Sequence, residues 1–385
     1  MRLLNMIIFF TVFFLLYGLI NYYIFRHGWV VIPEQSALRK WYLVAFLFVS
    51  LSFIIGRTLE NVWLSYVSDI LIWIGSFWFA FMLYFFLAVV FLDLIRLVNH
   101  FIHFYPSFVT RNYEKTKQII ALGVLIASSF AILIGYINAQ NVRIKNLTVS
   151  VNKKISGQQA IKLVMASDIH LGSIIGRKRF CKIVNLINNQ NPDIVLFPGD
   201  MVDEDIAPVI KDNLGEALES IKAKWGVFAS TGNHEYIGGV EKACSYLERH
   251  GVRMLRDQTI KINDLLYIIG REDRSIQSFT GRNRVPLAAL VEDIDHKLPV
   301  ILMDHQPIRL NEAQENGVDL QISGHTHNGQ IWPLNYITTM VYELSWGHVK
   351  KGETHYYISS GAGTWGPPVR LGNSPEIVVI DFRIH

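Results

Sequence analysis

Side chains that can bind metal stand directly after five short apolar runs in the second half of the sequence. The runs end at residues 166, 198, 231, 303 and 323, and each is followed within a few residues by Asp, Asn or His. The seven candidate ligands are Asp168, His170, Asp200, Asn233, His305, His325 and His327. Because the carboxyl ends of strands in an α/β sheet are where ligand sites assemble, these side chains could converge on one pocket.

The chemistry of this set points to transition-metal ions. Two carboxylates, one amide carbonyl and four imidazoles, with no thiolate, suit Mn²⁺, Fe²⁺ or Zn²⁺ rather than Ca²⁺ or a structural zinc. Seven ligands are too many for one tetrahedral ion, but they suit two divalent ions that share a carboxylate. Such a pair can clamp a phosphoryl group and lower the pKa of a shared water, so the set predicts phosphoryl chemistry.

Each motif alone is weak evidence, because Asp-x-His, Gly-Asp-x-x-Asp and Gly-Asn-His-Glu also occur in ordinary turns. Gly324-His325-Thr326-His327 is more specific. The ordered set, with every member directly after an apolar run, is what favours a metal site. His348, His355 and His385 lie outside this pattern and are interpreted as surface or packing residues.

The elements that must position these residues follow a β-α rhythm. Short apolar runs predict strands, and the stretches Lys178 to Asn189, Pro208 to Lys222 and Val240 to His250 predict helices between them. This alternation is typical of an α/β domain.

The first 140 residues have a different composition. They contain 14 charged residues, whereas the remaining 245 contain 54, and the whole net charge of +4 falls in the first part. Four apolar stretches in it predict transmembrane helices: Leu3 to Phe25, Trp41 to Gly56, Ile70 to Leu92 and Ile119 to Ile137. We therefore expect a membrane domain over residues 1–142 and a catalytic domain over residues 143–385.

Charge and cysteine content exclude two classes of protein. The catalytic part is electrically neutral, which argues against nucleic acid as a partner. Cys181 and Cys244 allow at most one disulfide, which excludes a disulfide scaffold. The loops after the first and third predicted spans carry seven Lys or Arg against two on the other side, which favours a multi-pass protein of the cell membrane with an extracytoplasmic catalytic domain.

The ordered motifs resemble the calcineurin-like metallophosphoesterase superfamily. The resemblance covers residues 162 to about 330, and the segment from Gly361 to Arg370 is similar to a bacterial membrane-bound or exported phosphodiesterase branch. The apolar N-terminal part is also similar to transmembrane proteins with a metallophosphoesterase domain. Asn328 and Asp304 depart from the usual pattern, but neither departure removes a ligand.

This resemblance implies an all-α transmembrane bundle followed by a four-layer α-β-β-α sandwich. It implies one metal on Asp168, His170, Asp200 and His327, and a second on Asp200, Asn233, His305 and His325. Asp200 would bridge the two ions. His234 would contact the phosphoryl group and protonate the leaving oxygen, and Asp203 would orient His234.

The expected activity is hydrolysis of phosphodiester or pyrophosphate bonds by a membrane-anchored enzyme. Tethering favours a phosphorylated lipid or cell-envelope substrate beside membrane lipids, and similar proteins cleave UDP-2,3-diacylglucosamine in lipid A synthesis. That compound is made on the cytoplasmic side, which conflicts with the charge pattern of the loops. The alternatives are a non-catalytic membrane sensor or scaffold and a transporter with an accessory enzyme, while the sequence leaves the oligomeric state open.

Overall fold

The computed structural model describes residues 2–153 and 160–385, and the side chains of residues 2–7, 9 and 10 are outside this description. The chain divides into two compact units, Met1–Gly135 and Tyr136–His385.

Helices dominate the first unit. They are α1 (Arg2–Trp29), α2 (Leu38–Val62), α3 (Tyr66–Ile102), α4 (Ser107–Arg111) and α5 (Tyr113–Ala139), the last of which ends in the second unit. Among the described residues α2, α3 and α5 are long and apolar enough to cross a membrane. They contain three of the four predicted spans, and each extends beyond the predicted limits. The remaining predicted span, Leu3 to Phe25, lies in α1, part of whose side chains are outside the description, and it stays a prediction.

The second unit contains two six-stranded sheets. The first has the strand order β1-β12-β2-β3-β4-β5 and the second β10-β11-β9-β8-β7-β6. The first sheet consists of β1 (Arg143–Val151), β2 (Ala160–Met165), β3 (Ile194–Pro198), β4 (Val227–Ser230), β5 (Arg253–Met254) and β12 (Glu376–Ile384). The second consists of β6 (Gln258–Ile262), β7 (Leu266–Gly270), β8 (Val300–Met303), β9 (Leu320–Ser323), β10 (Gly347–Lys351) and β11 (Thr354–Ile358).

Both sheets are mixed, as expected. Strands β2, β3 and β4 run parallel to one another, and so do β7, β8 and β9. The last strand, β12, lies between β1 and β2, parallel to the first and antiparallel to the second. Strands β1 and β2 are consecutive in the chain, but in the sheet each of them pairs with β12.

One hydrophobic core fills the space between the sheets. Leu163, Met165 and Leu196 of the first sheet pack in the same cluster as Ile301 and Ile322 of the second. Residues at even spacing along a strand point to one face, so the intervening apolar residues face outward and must be covered. On the outer face of the second sheet, Val300 and Leu302 pack with Leu287 and Ala313, which lie in helices. The four-layer sandwich is confirmed.

The helices of the second unit connect the strands. They are α6 (Arg177–Asn188), α7 (Ala207–Lys211), α8 (Gly215–Glu219), α9 (Asn233–Gly238), α10 (Val240–Arg249), α11 (Ile276–Thr280), α12 (Leu287–Leu290), α13 (Asn311–Glu315) and α14 (Leu334–Val341). The prediction of one helix from Pro208 to Lys222 is wrong, because Asn213 adopts a left-handed backbone conformation that separates α7 from α8.

Candidate metal centre

The predicted ligands lie at one edge of the two sheets. Asp168 and His170 follow β2, Asp200 follows β3, and Asn233 begins α9 after β4. His305 follows β8, and His325 and His327 follow β9. Since these strands run parallel within each sheet, their carboxyl ends meet at this edge, which explains why residues up to 159 positions apart come together.

The predicted ligands form two clusters there, and His170 also forms a third group with Asp203 and His234. Asp168, His170 and His327 each offer a ligand atom within 4.8 Å of the others, and so do Asp200, His305 and His325. The Nε2 atoms of His170 and His327 are 3.1 Å apart, and His327 Nε2 is 3.6 Å from Asp168 Oδ1. The structure thus brings together the residues expected for each of the two ions.

Asp200 lies between the two clusters. Its Oδ2 is 3.1 Å from His305 Nε2 in one cluster and 3.8 Å from His170 Nε2 in the other. Asn233 joins the second cluster, because its Oδ1 is 2.9 Å from His325 Nδ1 and 3.2 Å from His305 Nε2. Asp200 therefore contacts a histidine of each cluster.

Several contacts indicate that these residues are suited to binding cations. Asp168 is fully buried, and its Oδ2 has no hydrogen-bond donor among the described residues. His305 places its Nδ1 2.9 Å from the Pro198 carbonyl oxygen, so Nδ1 can donate there and Nε2 is the ring nitrogen that faces Asp200. A buried carboxylate oxygen without a donor is costly unless a cation binds it.

The electrostatics of the site favour positive charge. Burial opposes ionisation of Asp200, but His305 and His234 outweigh it and hold the pKa of Asp200 well below its ordinary value. Burial, His170 and Arg370 hold the pKa of His327 well below its ordinary value, so this imidazole is neutral at pH 7. A neutral imidazole beside ionised carboxylates is the form that binds a metal.

The backbone of the site is unusual. Asp168, His170, Asp200, His325 and His327 all have positive φ, between 48° and 71°. Residues other than glycine rarely adopt this conformation, which stores strain and clusters at functional sites. The left-handed turns direct five ligand side chains into one small volume.

Two glycines allow the loops to approach one another. A Cβ atom on Gly232 would lie 2.1 Å from Asp200 Oδ1, and one on Gly324 would lie 2.2 Å from Asp168 Oδ2. Any side chain at either position would occupy the space beside the ligand carboxylates. These glycines belong to the Gly-Asn-His-Glu and Gly-His-Thr-His motifs, so the motifs encode the close approach as well as the ligands.

His234 is the predicted group that would contact the leaving oxygen. It is 5% exposed, its Nδ1 is 3.2 Å from Asp203 Oδ1, and its ring centroid is 4.5 Å from that of His170. Burial opposes protonation, but Asp200 and Asp203 outweigh burial and raise the pKa of His234 to about 9. The imidazole therefore holds a proton at neutral pH and can donate one.

Sequence reasoning missed two residues of the site. Glu235 is buried, and its carboxylate accepts hydrogen bonds from the backbone N–H groups of Asp200, Val202 and Gly232. Burial and Asp200 raise the pKa of Glu235. The sequence feature that could have revealed Glu235 is its position three residues after Gly232, which is the spacing of a capping box at the start of α9.

Arg370 is the second missed residue. It is fully buried and lies with its Nη2 3.2 Å from His327 Nδ1. The same nitrogen donates to the Gly363 carbonyl oxygen, and Nη1 donates to Asn373. No spacing rule could have found it, because it acts on a residue 43 positions earlier.

Comparisons with known proteins agree with this geometry. The model of the calcineurin-like phosphoesterase family matches residues 161–329. A metallophosphoesterase of Aquifex aeolicus is 31% identical over 66% of this chain and 97% of its own length. One of Campylobacter jejuni is 27% identical over 98% of both chains. A zebrafish protein named transmembrane protein with metallophosphoesterase domain is 28% identical over 67% of this chain and 62% of its own.

The apolar helices α2, α3 and α5, together with this last relative, indicate a membrane protein. The His and Asp clusters are those of a dinuclear metal site. The chain therefore belongs to the calcineurin-like phosphoesterase family and is a metal-dependent phosphoesterase.

Proposed function

We propose that this protein is a membrane-anchored phosphohydrolase that cleaves phosphodiester or pyrophosphate bonds of a lipid-linked or cell-envelope substrate. The proposed ligands of the first ion are Asp168, His170, Asp200 and His327, and those of the second are Asp200, Asn233, His305 and His325. Mn²⁺, Fe²⁺ and Zn²⁺ all suit this mixture of oxygen and nitrogen ligands. When bound, two such ions supply the positive charge that polarises a phosphoryl group.

His234 and Asp203 supply the proton chemistry. The Asp203 carboxylate, 3.2 Å from His234 Nδ1, fixes the orientation of the ring and stabilises its charged form. The remaining ring nitrogen, Nε2, is then available to give a proton to the leaving oxygen. Because His234 is buried, bulk water competes poorly for this proton.

Helix α14 is the observation that supports a lipid-linked substrate. Its sequence, Leu-Asn-Tyr-Ile-Thr-Thr-Met-Val, contains no charge, and none of its residues is buried. Ile337 is 57% exposed, Met340 84% and Val341 67%. An uncharged helix that leaves its aliphatic side chains in contact with solvent suits an acyl chain or a membrane interface better than water.

This helix belongs to the rim of the metal centre. The 3₁₀ turn His327–Gly329 leads into it, and a Cβ atom on Gly329 would lie 2.3 Å from Asn335 N of α14. The Tyr342 ring, at the end of α14, is 6.0 Å from that of His325, and the half-exposed Trp365 ring is 5.8 Å from that of His234. Aromatic rings that are apolar in body and polar at one edge are typical of membrane-interface contacts.

The experiment compares two phosphodiesters with the same headgroup, one carrying acyl chains and one soluble in water. Detergent-solubilised wild type is measured with Mn²⁺ beside Met340→Ser, Ile337→Ser and the control Ile210→Ser, which changes a similarly exposed side chain on α7. Withdrawing one large apolar side chain from lipid costs about 1.5–3 kcal/mol. We expect kcat/KM for the acylated ester to fall about tenfold or more in the α14 variants.

The water-soluble ester and the Ile210→Ser control should be unaffected. Equal loss on both esters would show that α14 acts on the fold rather than on lipid. Metal binding without turnover of any ester would favour the non-catalytic sensor instead.

We further propose a multi-pass arrangement in which the catalytic domain faces away from the cytoplasm. The charge difference between the predicted loops supports this orientation. A cysteine introduced at exposed Ser278 should react with a membrane-impermeant maleimide in whole cells. Protection until the cells are broken would place the domain in the cytoplasm, the side on which UDP-2,3-diacylglucosamine is made.

A further inference from the structure

A polar cavity lined by several arginines lies at the carboxyl ends of β7 and β8. It has a volume of about 430 Å³ and is lined by side chains that include Arg271, Arg274, Arg284, Arg309 and Glu312. Arg271 directly follows β7, and its backbone N–H donates to the Met303 carbonyl oxygen at the end of β8. Because β7 and β8 are parallel neighbours, the cavity begins at the same sheet edge as the metal ligand His305.

Positive charge exceeds negative charge in this cavity. Asp304 accepts hydrogen bonds from Arg284 at 2.8 Å and Arg271 at 3.5 Å. Glu312 accepts one from Arg271 at 2.8 Å and lies 3.7 Å from both Arg284 and Arg309. Four arginines and one glutamate line the cavity, so cationic side chains outnumber acidic ones in its lining.

Some of the guanidinium nitrogens are also left without acceptors. Arg271 is 3% exposed, and its Nε has no hydrogen-bond acceptor in the described part of the chain. The same is true of Arg274 Nε, while Arg284 Nη2 has no hydrogen bond and only the 3.7 Å ion-pair contact with Glu312. Buried charged donors are normally hydrogen-bonded, so nitrogens without an acceptor around one cavity indicate a missing acceptor group.

Arg274 is the arginine whose charge is least compensated. Its Nη2 donates to the Ile308 carbonyl oxygen at 2.8 Å, and the described residues show no ion pair for it within 4 Å. Burial and the neighbouring charge of Arg284 lower the pKa of Arg274, as expected for a cation held beside other cations. An anion in the cavity would relieve this repulsion.

We propose that this cavity is a second anion-binding subsite, which holds a phosphate group of the substrate other than the one hydrolysed at the metal centre. Guanidinium groups present forked pairs of N–H donors that match phosphate oxygens, which makes phosphate a better match than a single-point acceptor. The inference rests on the proposed hydrolase function and narrows its substrates to phosphodiesters or pyrophosphates that carry a further phosphate nearby.

The kinetic test uses two aryl phosphodiesters that differ only in a phosphate monoester on the non-aryl arm. Wild-type full-length protein, Arg274→Gln and Arg274→Lys are compared, with Arg249→Gln on the exposed face of α10 as the control. The wild type should prefer the ester with the additional phosphate. Arg274→Gln should reduce this preference about tenfold or more, mainly through KM, because a charge-assisted hydrogen bond is lost.

Arg274→Lys keeps the charge and should retain part of the preference, whereas Arg249→Gln should retain all of it. The proposal is overturned if the wild type shows no preference, or if Arg274→Gln keeps it. A site for free phosphate alone would be shown by inorganic phosphate altering turnover of the plain ester while the additional phosphate gives no preference. That result would also overturn the substrate assignment.

A binding measurement separates this inference from the proposed function. Calorimetric titration of the metal-loaded protein with inorganic phosphate should show one more site in the wild type than in Arg274→Gln. If that difference is found but no ester is hydrolysed, the hydrolase function fails and the anion site stands. Equal stoichiometry in both proteins contradicts the anion site, whatever the turnover.

Discussion

Replacing His234 by alanine tests the division between metal binding and proton transfer. The His234 backbone N–H donates to Asp200 Oδ1 at 2.9 Å, and this contact does not depend on the side chain. The ring itself faces Asp203 and the cluster of His170. His234→Ala therefore removes the proposed proton donor, while the backbone contact to the Asp200 carboxylate remains.

The expected magnitude depends on the leaving group. A positioned general acid contributes about 10²–10⁴-fold to rate when the leaving oxygen needs a proton. An acidic leaving group such as 4-nitrophenolate departs without one, so its hydrolysis should fall less than about tenfold. Asp203→Asn keeps the ring and removes only the charge that orients it, so we expect an intermediate loss of about 10–100-fold on the poor leaving group.

The assay measures kcat/KM for a 4-nitrophenyl phosphodiester and the matching phenyl or alkyl phosphodiester, with bound metal determined by elemental analysis. His385→Ala, at an exposed histidine outside the site, is the control and should match the wild type. The interpretation of His234 as the acid is refuted if His234→Ala slows both esters equally. It is refuted as well if the variant loses metal, because the side chain would then be a ligand.

Three further predictions concern the metal loops. Asp200→Asn removes the carboxylate shared by both clusters and should lower bound metal and reduce turnover more than about 100-fold, whereas near-normal metal content would contradict the bridging role. Glu235→Gln leaves one of three backbone N–H donors facing an amide NH₂. The lost hydrogen bond should cost about 1–3 kcal/mol of stability and lower the melting temperature by about 2–10 °C. An unchanged melting temperature would show that these hydrogen bonds are dispensable. Removing bound metal with a chelator should lower the melting temperature, and adding Mn²⁺ at about 100 times its Kd should restore roughly 2.7 kcal/mol of folding stability. If the chelator has no effect, no metal stabilises the fold.

The convergence of the candidate ligands could be predicted from the sequence because each follows a strand closely. A strand end fixes the position of the next few residues, so Asp168 and His305 could be placed at one edge without knowledge of the sheet order. Glu235 and Arg370 could not be assigned roles in this way. Their partners are backbone groups and a ring on other loops, and only the three-dimensional approach of those loops shows the contacts.

The secondary structure was likewise predictable where the local sequence determines it and not where distant residues do. Buried strands such as β3 and β8 were predicted because every residue in them is apolar. The short helices α7 and α8 were predicted as one, since the periodicity of the apolar residues continues through the turn at Asn213. No sequence pattern predicts the arginine cavity. Its four arginines are spread over 39 positions and meet only through the ends of β7 and β8.

The position of β12 has a consequence for biosynthesis. The first sheet places this strand between β1 and β2, so neither can complete its hydrogen bonds until residues Glu376–Ile384 have been synthesised. The core between the sheets contains Ile380 and Phe382 of the same strand, so it also remains incomplete until then. The nascent domain must therefore leave the ribosome with two open strand edges, which are hazardous for aggregation. Truncation before residue 376 should yield insoluble protein even though every candidate metal ligand is present.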